Sequence, residues 1–267
     1  MSGPRQRFDA VTAHVLRSGL SVDARAAPAP CLEEIVLGDS AQAWSAAGFH
    51  TQTSHAGVNQ VRLGGLIVTL TGVGNGLSGL LFSLAQGSSS ASSKETSVGG
   101  VTVRSVGSRR RDTVATVEHP NGVQFLGELV IYAQDLDGIV EAFANAGVAT
   151  HGGAAPKAMK GGTHACATYY LRGLRMLVVG PLDPTHPASE NPPLWMFGRG
   201  VHGAVELTGW LPVCRDMGLL EASLDGRLGP QRKAAQRGRT VATLRSGAIQ
   251  GLTGTFAFLS DGDGPLF

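Results

Sequence analysis

The sequence predicts an α+β fold built from repeated strand–helix–strand units, and three observations carry that prediction. Residues 119–148, HPNGVQFLGELVIYAQDLDGIVEAFANAGV, read as one supersecondary unit. The pattern recurs more loosely on either side, and 38 glycines in 267 residues favour short strands joined by tight turns over a helical bundle. In the central segment, Pro120, Asn121 and Gly122 supply turn chemistry, because proline presets φ and asparagine and glycine tolerate left-handed positions. An apolar run over residues 125–132 follows, interrupted only by Glu128. Asp135 then stands before a helical pattern of Leu136, Ile139, Val140, Phe143 and Ala144, which Gly147 closes.

Residues 1–30 read as a tail ending in an Ala/Pro linker. A first βαβββ-like module spans 31–104. It opens on the strand LEEIVLGD, and Asp39 or Ser40 caps a helix carrying Ala43, Trp44 and Ala47, which Gly48 stops. Residues 66–70 and 80–84 are short, partly β-branched runs around the turn cluster Gly72, Gly74, Asn75 and Gly76, and they read as two buried strands joined by a hairpin. Residues 105–118 form a basic connector with Arg109, Arg110 and Arg111, most simply a solvated loop. The second module, 119–183, continues through the Gly/Lys loop 151–162 to strands at 167–171 and 176–179. A Pro-rich connector, 184–198, leads to a third module, 199–262, with a strand at 204–207, a helix over 213–224 and strands at 240–244 and 255–259. The unequal spacing of the copies excludes a fixed-period solenoid.

Composition narrows the function classes. A net charge of +2 gives no reason to expect a nucleic-acid partner or an anionic membrane surface. The uncharged stretch 63–86 has the length of a membrane span, but its central turn residues favour strands, so no membrane is expected. Cys31, Cys166 and Cys214 are widely spaced with no CxxC pair, which suits neither a disulfide framework nor a zinc site and fits the reducing cytoplasm. The first 20 residues lack the apolar core of a secretory signal. P-loop, GxSxG and HExxH motifs are absent from the sequence, and Gly72-Val73-Gly74-Asn75-Gly76 lacks the strand–turn–helix context of a dinucleotide site.

The order of HPNGV, a strand, DLD and a helix ending in Ala-Gly resembles the vicinal oxygen chelate superfamily, which includes glyoxalases, bleomycin-resistance proteins and extradiol dioxygenases. Within it the closest similarity is to actinobacterial glyoxalase-like proteins. LGDSAQAWSAAGF (37–49), GGT (161–163), VVGP (178–181) and GRLGPQRKAAQRGRTVATLR (226–245) fit the same order, so the resemblance covers roughly residues 31–260. It implies paired, curled mixed sheets that form a half-barrel cup. It also implies a divalent metal held by a His or Gln on the first strand and a Glu on the last strand of each module. Such a metal would chelate adjacent substrate oxygens.

This chain departs from that ligand pattern. Glu128, in GELV, stands where relatives carry a histidine, and RMLVVGP puts Leu177 or Val178 where the closing Glu belongs. TFAFLS, the last strand, has no acid. Glu128 is therefore either a carboxylate in the cup, as ligand or general base, or an acid paired with Arg172 or Arg175. Strand alternation places Leu126, Glu128, Val130 and Tyr132 on one face. Glu206 and His164 complete the candidate metal set, with His202 as a weaker neighbour. Tyr169, Tyr170, Trp195 and Trp210 are candidates for an aromatic wall, together with Glu206, around a small-molecule ligand, and core packing competes for each aromatic. Cys166 reads as a structural thiol, and His119 and His186 belong to their turn and connector. Three functions follow as expectations. One is a glyoxalase-like protein with a degenerate metal site that binds a small organic ligand; another is a metal-dependent lyase, isomerase or dioxygenase with non-standard ligands; the last is a non-catalytic interaction module. Three curled modules leave one without a partner, and a homodimer is one way to cover it.

Overall fold

The computed structural model describes residues 29–74, 76–84, 93–107, 117–150, 153–159, 162–183, 185, 204–234, 236–262 and 266. The tail and linker up to residue 28, the Arg109–Arg111 cluster, His186, Trp195 and His202 lie outside them.

Two mixed sheets make up the molecule. The first contains β1 (Cys31–Leu37), β2 (Gln52–Thr53), β3 (Asn59–Leu63), β4 (Leu66–Leu70), β5 (Leu77–Ser83), β6 (Lys94–Val98) and β7 (Val101–Val106), in the order β2-β3-β4-β1-β5-β7-β6. The second contains β8 (Val123–Ala133), β9 (Lys157–Ala158), β10 (His164–Leu171), β11 (Leu174–Pro181), β12 (Val205–Cys214), β13 (Arg232–Lys233), β14 (Thr240–Thr243) and β15 (Thr255–Ser260). Their order is β13-β14-β15-β12-β8-β11-β10-β9. In each sheet two antiparallel strands form the centre, β1 with β5 and β8 with β12. Each central strand is flanked by a parallel strand that closes its own unit. These are open, curled sheets of paired βαβββ units, the half-barrel architecture expected from the sequence.

The strand orders divide the chain differently from the sequence reading. Residues 31–104 hold two units, not one: β1 to β4, and then β5 to β7 with no helix described between β5 and β6. The expected hairpin between 66–70 and 80–84 does not form, because β1 lies between β4 and β5 and pairs with both. Turn residues 71–76 instead cross the end of β1, where Thr71 N–H donates to Leu37 O and Gly38 N–H to Gly76 O, both at 2.9 Å. With the first sheet paired internally, the argument for a homodimer from an odd unit lapses.

Among the described residues, three helices lie between the sheets. Ser40 caps α1 (Ala41–Ala46), Asp135 caps α2 (Leu136–Asn145), and Asp216 caps α3 (Met217–Leu224), each through its side-chain oxygen on a first-turn N–H. The last helix starts later than the sequence predicts, since β12 runs on through Pro212 to Cys214. A register shift between Leu211 and Pro212 accommodates the proline, which has no N–H for the ladder. Phe143 of α2 packs on Phe82 of the first sheet at 5.6 Å and on Tyr169 of the second at 5.3 Å. Trp44 of α1 meets Trp210 and Phe256 of the second sheet edge-on at 5.3 and 5.5 Å. One apolar core thus spans both sheets through the helices.

The sequence motifs meet at the seam between the halves. Asn121 Nδ2 donates to Ala47 O at 2.9 Å, and its N–H donates to Gly48 O at 3.1 Å. Gly48 has φ +78°, and a Cβ there would lie 2.8 Å from that of Asn121, so only glycine fits. His119 Nδ1 accepts from His50 N–H at 3.0 Å while its Nε2 donates to Arg62 O at 2.7 Å. That pairing requires the neutral Nε2–H tautomer, and burial holds the imidazole pKa below its ordinary range. Asp39 accepts from Trp44 Nε1–H at 2.9 Å, from Thr253 N–H at 2.8 Å and from the Thr253 hydroxyl, tying the first unit to the last.

Candidate functional site

The helices cover one face of the second sheet, and its other face is the inside of the cup. Along β8, Leu129, Ile131 and Ala133 join the helix-side core, so Glu128, Val130 and Tyr132 face the cup. Leu126 departs from the predicted alternation and belongs to the core, because the register with β12 slips between Leu211 and Pro212. On β11 the cup face carries Arg175, Leu177 and Val179, and on β10 it carries His164, Cys166, Thr168 and Tyr170.

Register places these side chains in rows across the strands. Leu211, Glu128, Arg175 and Tyr170 form one row, and Gly209, Val130, Leu177 and Thr168 the next. Glu206, Tyr132, Val179 and Cys166 form a third row, with His164 one step beyond, opposite Pro181.

Glu128 sits directly opposite Arg175, 5% and 2% exposed. Arg175 Nε–H donates to Glu128 Oε2 at 2.5 Å, and its Nη2 also contacts that oxygen. Of the readings open for Glu128, the ion pair with Arg175 is the one the structure contains. Burial, the larger influence, pushes the carboxyl pKa up, and the guanidinium pulls it back. A buried pair of this kind is stable only while both partners are present. Held in this way, the carboxylate is oriented toward a neighbour in the sheet and is poorly placed to serve a metal.

Glu206 lies across from Tyr132, and its charge together with burial raises the phenol pKa. His164 is 2% exposed; its ring stands 6.2 Å from that of Tyr132, and its Nδ1 pairs with Thr163 Oγ1 at 2.9 Å. Burial lowers the imidazole pKa and keeps the ring neutral. Cys166, beside the ion pair, is pushed up to about 11 by burial, so its thiol stays protonated, as a structural cysteine requires. Cys31 and Cys214 are likewise free thiols.

Of the aromatics expected to form a wall, Trp195 lies outside the described residues and the other three do not share a face. Tyr170 stands on the cup face beside Arg175. Tyr169 is fully buried on the helix side against Phe143. Trp210 stacks on Phe256 at 5.4 Å and 12° inside the intersheet core. For both, the alternation of helix-facing positions decides the face, and core packing is the role the structure gives them.

The residues do not fit the metal that the resemblance implied. Among the described residues no three His, Cys, Asp or Glu side chains are grouped so as to hold an ion. Glu128, Glu206 and His164 stand in different rows, and the closing strands β11 and β15 present Leu177, Val179, Ala257 and Leu259. The β12/β14/β15 half of the cup carries a small apolar cluster, with Thr243 and Thr255 on the same face and Glu206 where β12 borders β8. Leu211, Val213 and Leu259 are packed there by Phe125, Val241, Ala257 and Leu266.

No helix among the described residues is long and apolar enough to cross a membrane, and Leu66–Leu70 and Leu77–Ser83 are strands. No protein-family model matches the sequence, and no curated protein matches it. Solved structures do. A variant of 4-hydroxymandelate synthase from Streptomyces coelicolor superposes with a TM-score of 0.54 at 12% identity, covering 90% of this chain and 95% of that one. A xylose isomerase-like TIM barrel/4-hydroxyphenylpyruvate dioxygenase fusion protein superposes with a TM-score of 0.54 at 12% identity over 98% of this chain, which spans 54% of the fusion's length. Methylmalonyl-CoA epimerase from Mycobacterium tuberculosis matches 53% of this chain and 90% of its own at 13% identity, with a TM-score of 0.33. The first two likenesses, at 12% identity, establish architecture alone, and that architecture is the vicinal oxygen chelate fold.

Proposed function

We propose that this chain binds a small organic molecule in the β8/β10/β11 half of the second-sheet cup, and that it does so without a metal. The observation that carries the reading is the buried Glu128–Arg175 pair. It engages the acid on the first strand of the β8 unit, while β11 and β15 present Leu177, Val179, Ala257 and Leu259 to the cup. That half carries the polar groups Tyr132, His164 and Tyr170 beside the apolar Val130, Leu177 and Val179, with Glu206 of β12 across from Tyr132 at its border, a mixture suited to a small ligand. The test is a screen of small organic compounds for thermal stabilisation of chelator-treated protein. A hit whose effect is unchanged by chelator and weakened by Glu206→Gln or Tyr170→Ala supports the reading. A hit that binds only with one equivalent of divalent metal overturns it.

A second reading, a non-catalytic interaction module, draws on the other half of the cup, which Phe125 and Leu266 pack with side chains. It predicts that no compound stabilises the protein and that Leu266→Ala loosens the sheet with no gain in ligand access.

A further inference from the structure

We infer that β6 (Lys94–Val98) is a docking edge, and that its occupant is the same strand of a second copy of this chain, paired antiparallel about Thr96. The inference is independent of what the cup binds.

Among the described residues the two sheets end on four edge strands, β2 and β6 in the first and β13 and β9 in the second. An edge offers unpaired N–H and C=O groups to any other strand, and proteins guard against this by keeping edge strands very short. β2, β9 and β13 are two residues long each. β6 runs for five, contains no proline, and pairs with β7 without a bulge. Of these edges it alone is long and regular enough to act as a template.

The turn after β6 fixes which of its backbone groups are free. Gly99 and Gly100 have φ +55° and +82°, the left-handed pair of a two-residue type I′ hairpin. In such a hairpin the flanking residues, Val98 and Val101, exchange both hydrogen bonds, and bonded pairs recur at every second position. Thr96 and Lys94 therefore bond inward to Val103 and Ser105, while the N–H and C=O of Glu95 and Ser97 point away from β7. No described residue bonds to them on that side, and both side chains are exposed.

Self-pairing suits this strand. A two-fold axis at Thr96 sets Glu95 opposite the partner's Ser97, so the outward backbone groups of both copies satisfy one another. It also sets Lys94 opposite the partner's Val98, and Thr96 opposite the partner's Thr96, so no like charges face each other. The other three edges are too short to match five residues, so β6 meets β6 and the contact closes as a dimer without propagating. One added strand pairing is small beside the roughly 1,200–2,000 Å² of a stable interface, so the dimer is weak, with a Kd of about 10–100 µM.

The test is sedimentation equilibrium of the full chain from about 1 µM to about 1 mM. The expected result is a mass that rises with concentration from one chain toward two. Ser97→Glu places like charges opposite each other twice per dimer and weakens association about tenfold, whereas Ser97→Lys, opposite the partner's Glu95, tightens it by a similar factor. Ser97→Pro removes an N–H that the fold does not use, so the protein keeps its melting temperature and stays monomeric. If that variant fails to fold, the two charge variants, made at an exposed side chain, decide alone. A monomer throughout the concentration range overturns the inference. Dimers that ignore the sign of the charge at position 97, or masses that grow beyond two chains, overturn it as well.

Discussion

The two halves of the second sheet share one strand order and carry opposite faces. In one, β8, β11 and β10 line the cup with an ion pair, a histidine, a tyrosine and a threonine. In the other, β12, β15 and β14 gather Leu211, Val213, Leu259, Val241 and Ala257 into an apolar cluster that Leu266 packs, with Thr243 and Thr255 beside it and Glu206 only at the border with β8. Both halves bury their helix side equally well, so the difference lies wholly on the face the fold does not need for its core. Polar groups on that buried face have no packing reason to be there, and each must be satisfied by a partner or by a ligand. That contrast is what supports the proposed binding site in the β8/β10/β11 half.

The largest effect should come from breaking the ion pair. Arg175→Met leaves Glu128 buried without its counter-charge and should destabilise the fold by about 3–5 kcal/mol in urea denaturation. Combining it with Glu128→Leu should recover most of that loss, because an apolar pair of similar volume needs no desolvation. Leu259→Ala in the apolar half comes next, at about 2–4 kcal/mol from the cavity it opens. That substitution should leave ligand affinity in the polar half unchanged, and a loss of affinity would dissolve the distinction between the halves.

A smaller effect is expected from pH at the seam. The folded-state pKa of His119 lies below its ordinary 6.5, so the unfolded chain binds the extra proton first. Stability should be fully present above about pH 6.5 and fall as pH drops through that value toward the folded pKa, with a slope of at most about 1.4 kcal/mol per pH unit. His119→Gln should flatten the slope; an unchanged slope would place the titration elsewhere. The smallest effect belongs to Tyr170→Phe, which should shift stability by less than about 0.5 kcal/mol at its half-buried position. A measurable change in ligand affinity from the same variant would show that its hydroxyl is part of the site.

Much of the fold was legible because local patterns agree with one another. HPNGV announces a turn, Asp135 and Gly147 bound α2, and Trp44 reads as core from its place among alanines. The seam was not legible, although its residues were: Asn121 and Gly48 belong to two separate motifs, and only the fold brings them into contact. The count of units was missed because β5 to β7 have no described helix to announce them, and because β1 separates two strands that look like a hairpin. Glu128 was found as the candidate acid and Arg175 as one possible partner, but periodicity could not say that the pair would be buried. Trp210 and Tyr169 show the converse limit, since an aromatic on a strand gives the same signal for core and for cup.

If the Glu128–Arg175 pair stands in place of a metal site, the protein takes up no divalent ion. Purified protein is dialysed against Mn²⁺, Ni²⁺ or anaerobic Fe²⁺, washed, and assayed for bound metal beside Glu128→Gln. The expected result is far less than one ion per chain and no difference between the two proteins. One tightly held ion per chain, lost in Glu128→Gln, would show that the carboxylate is a ligand and not half of a closed ion pair.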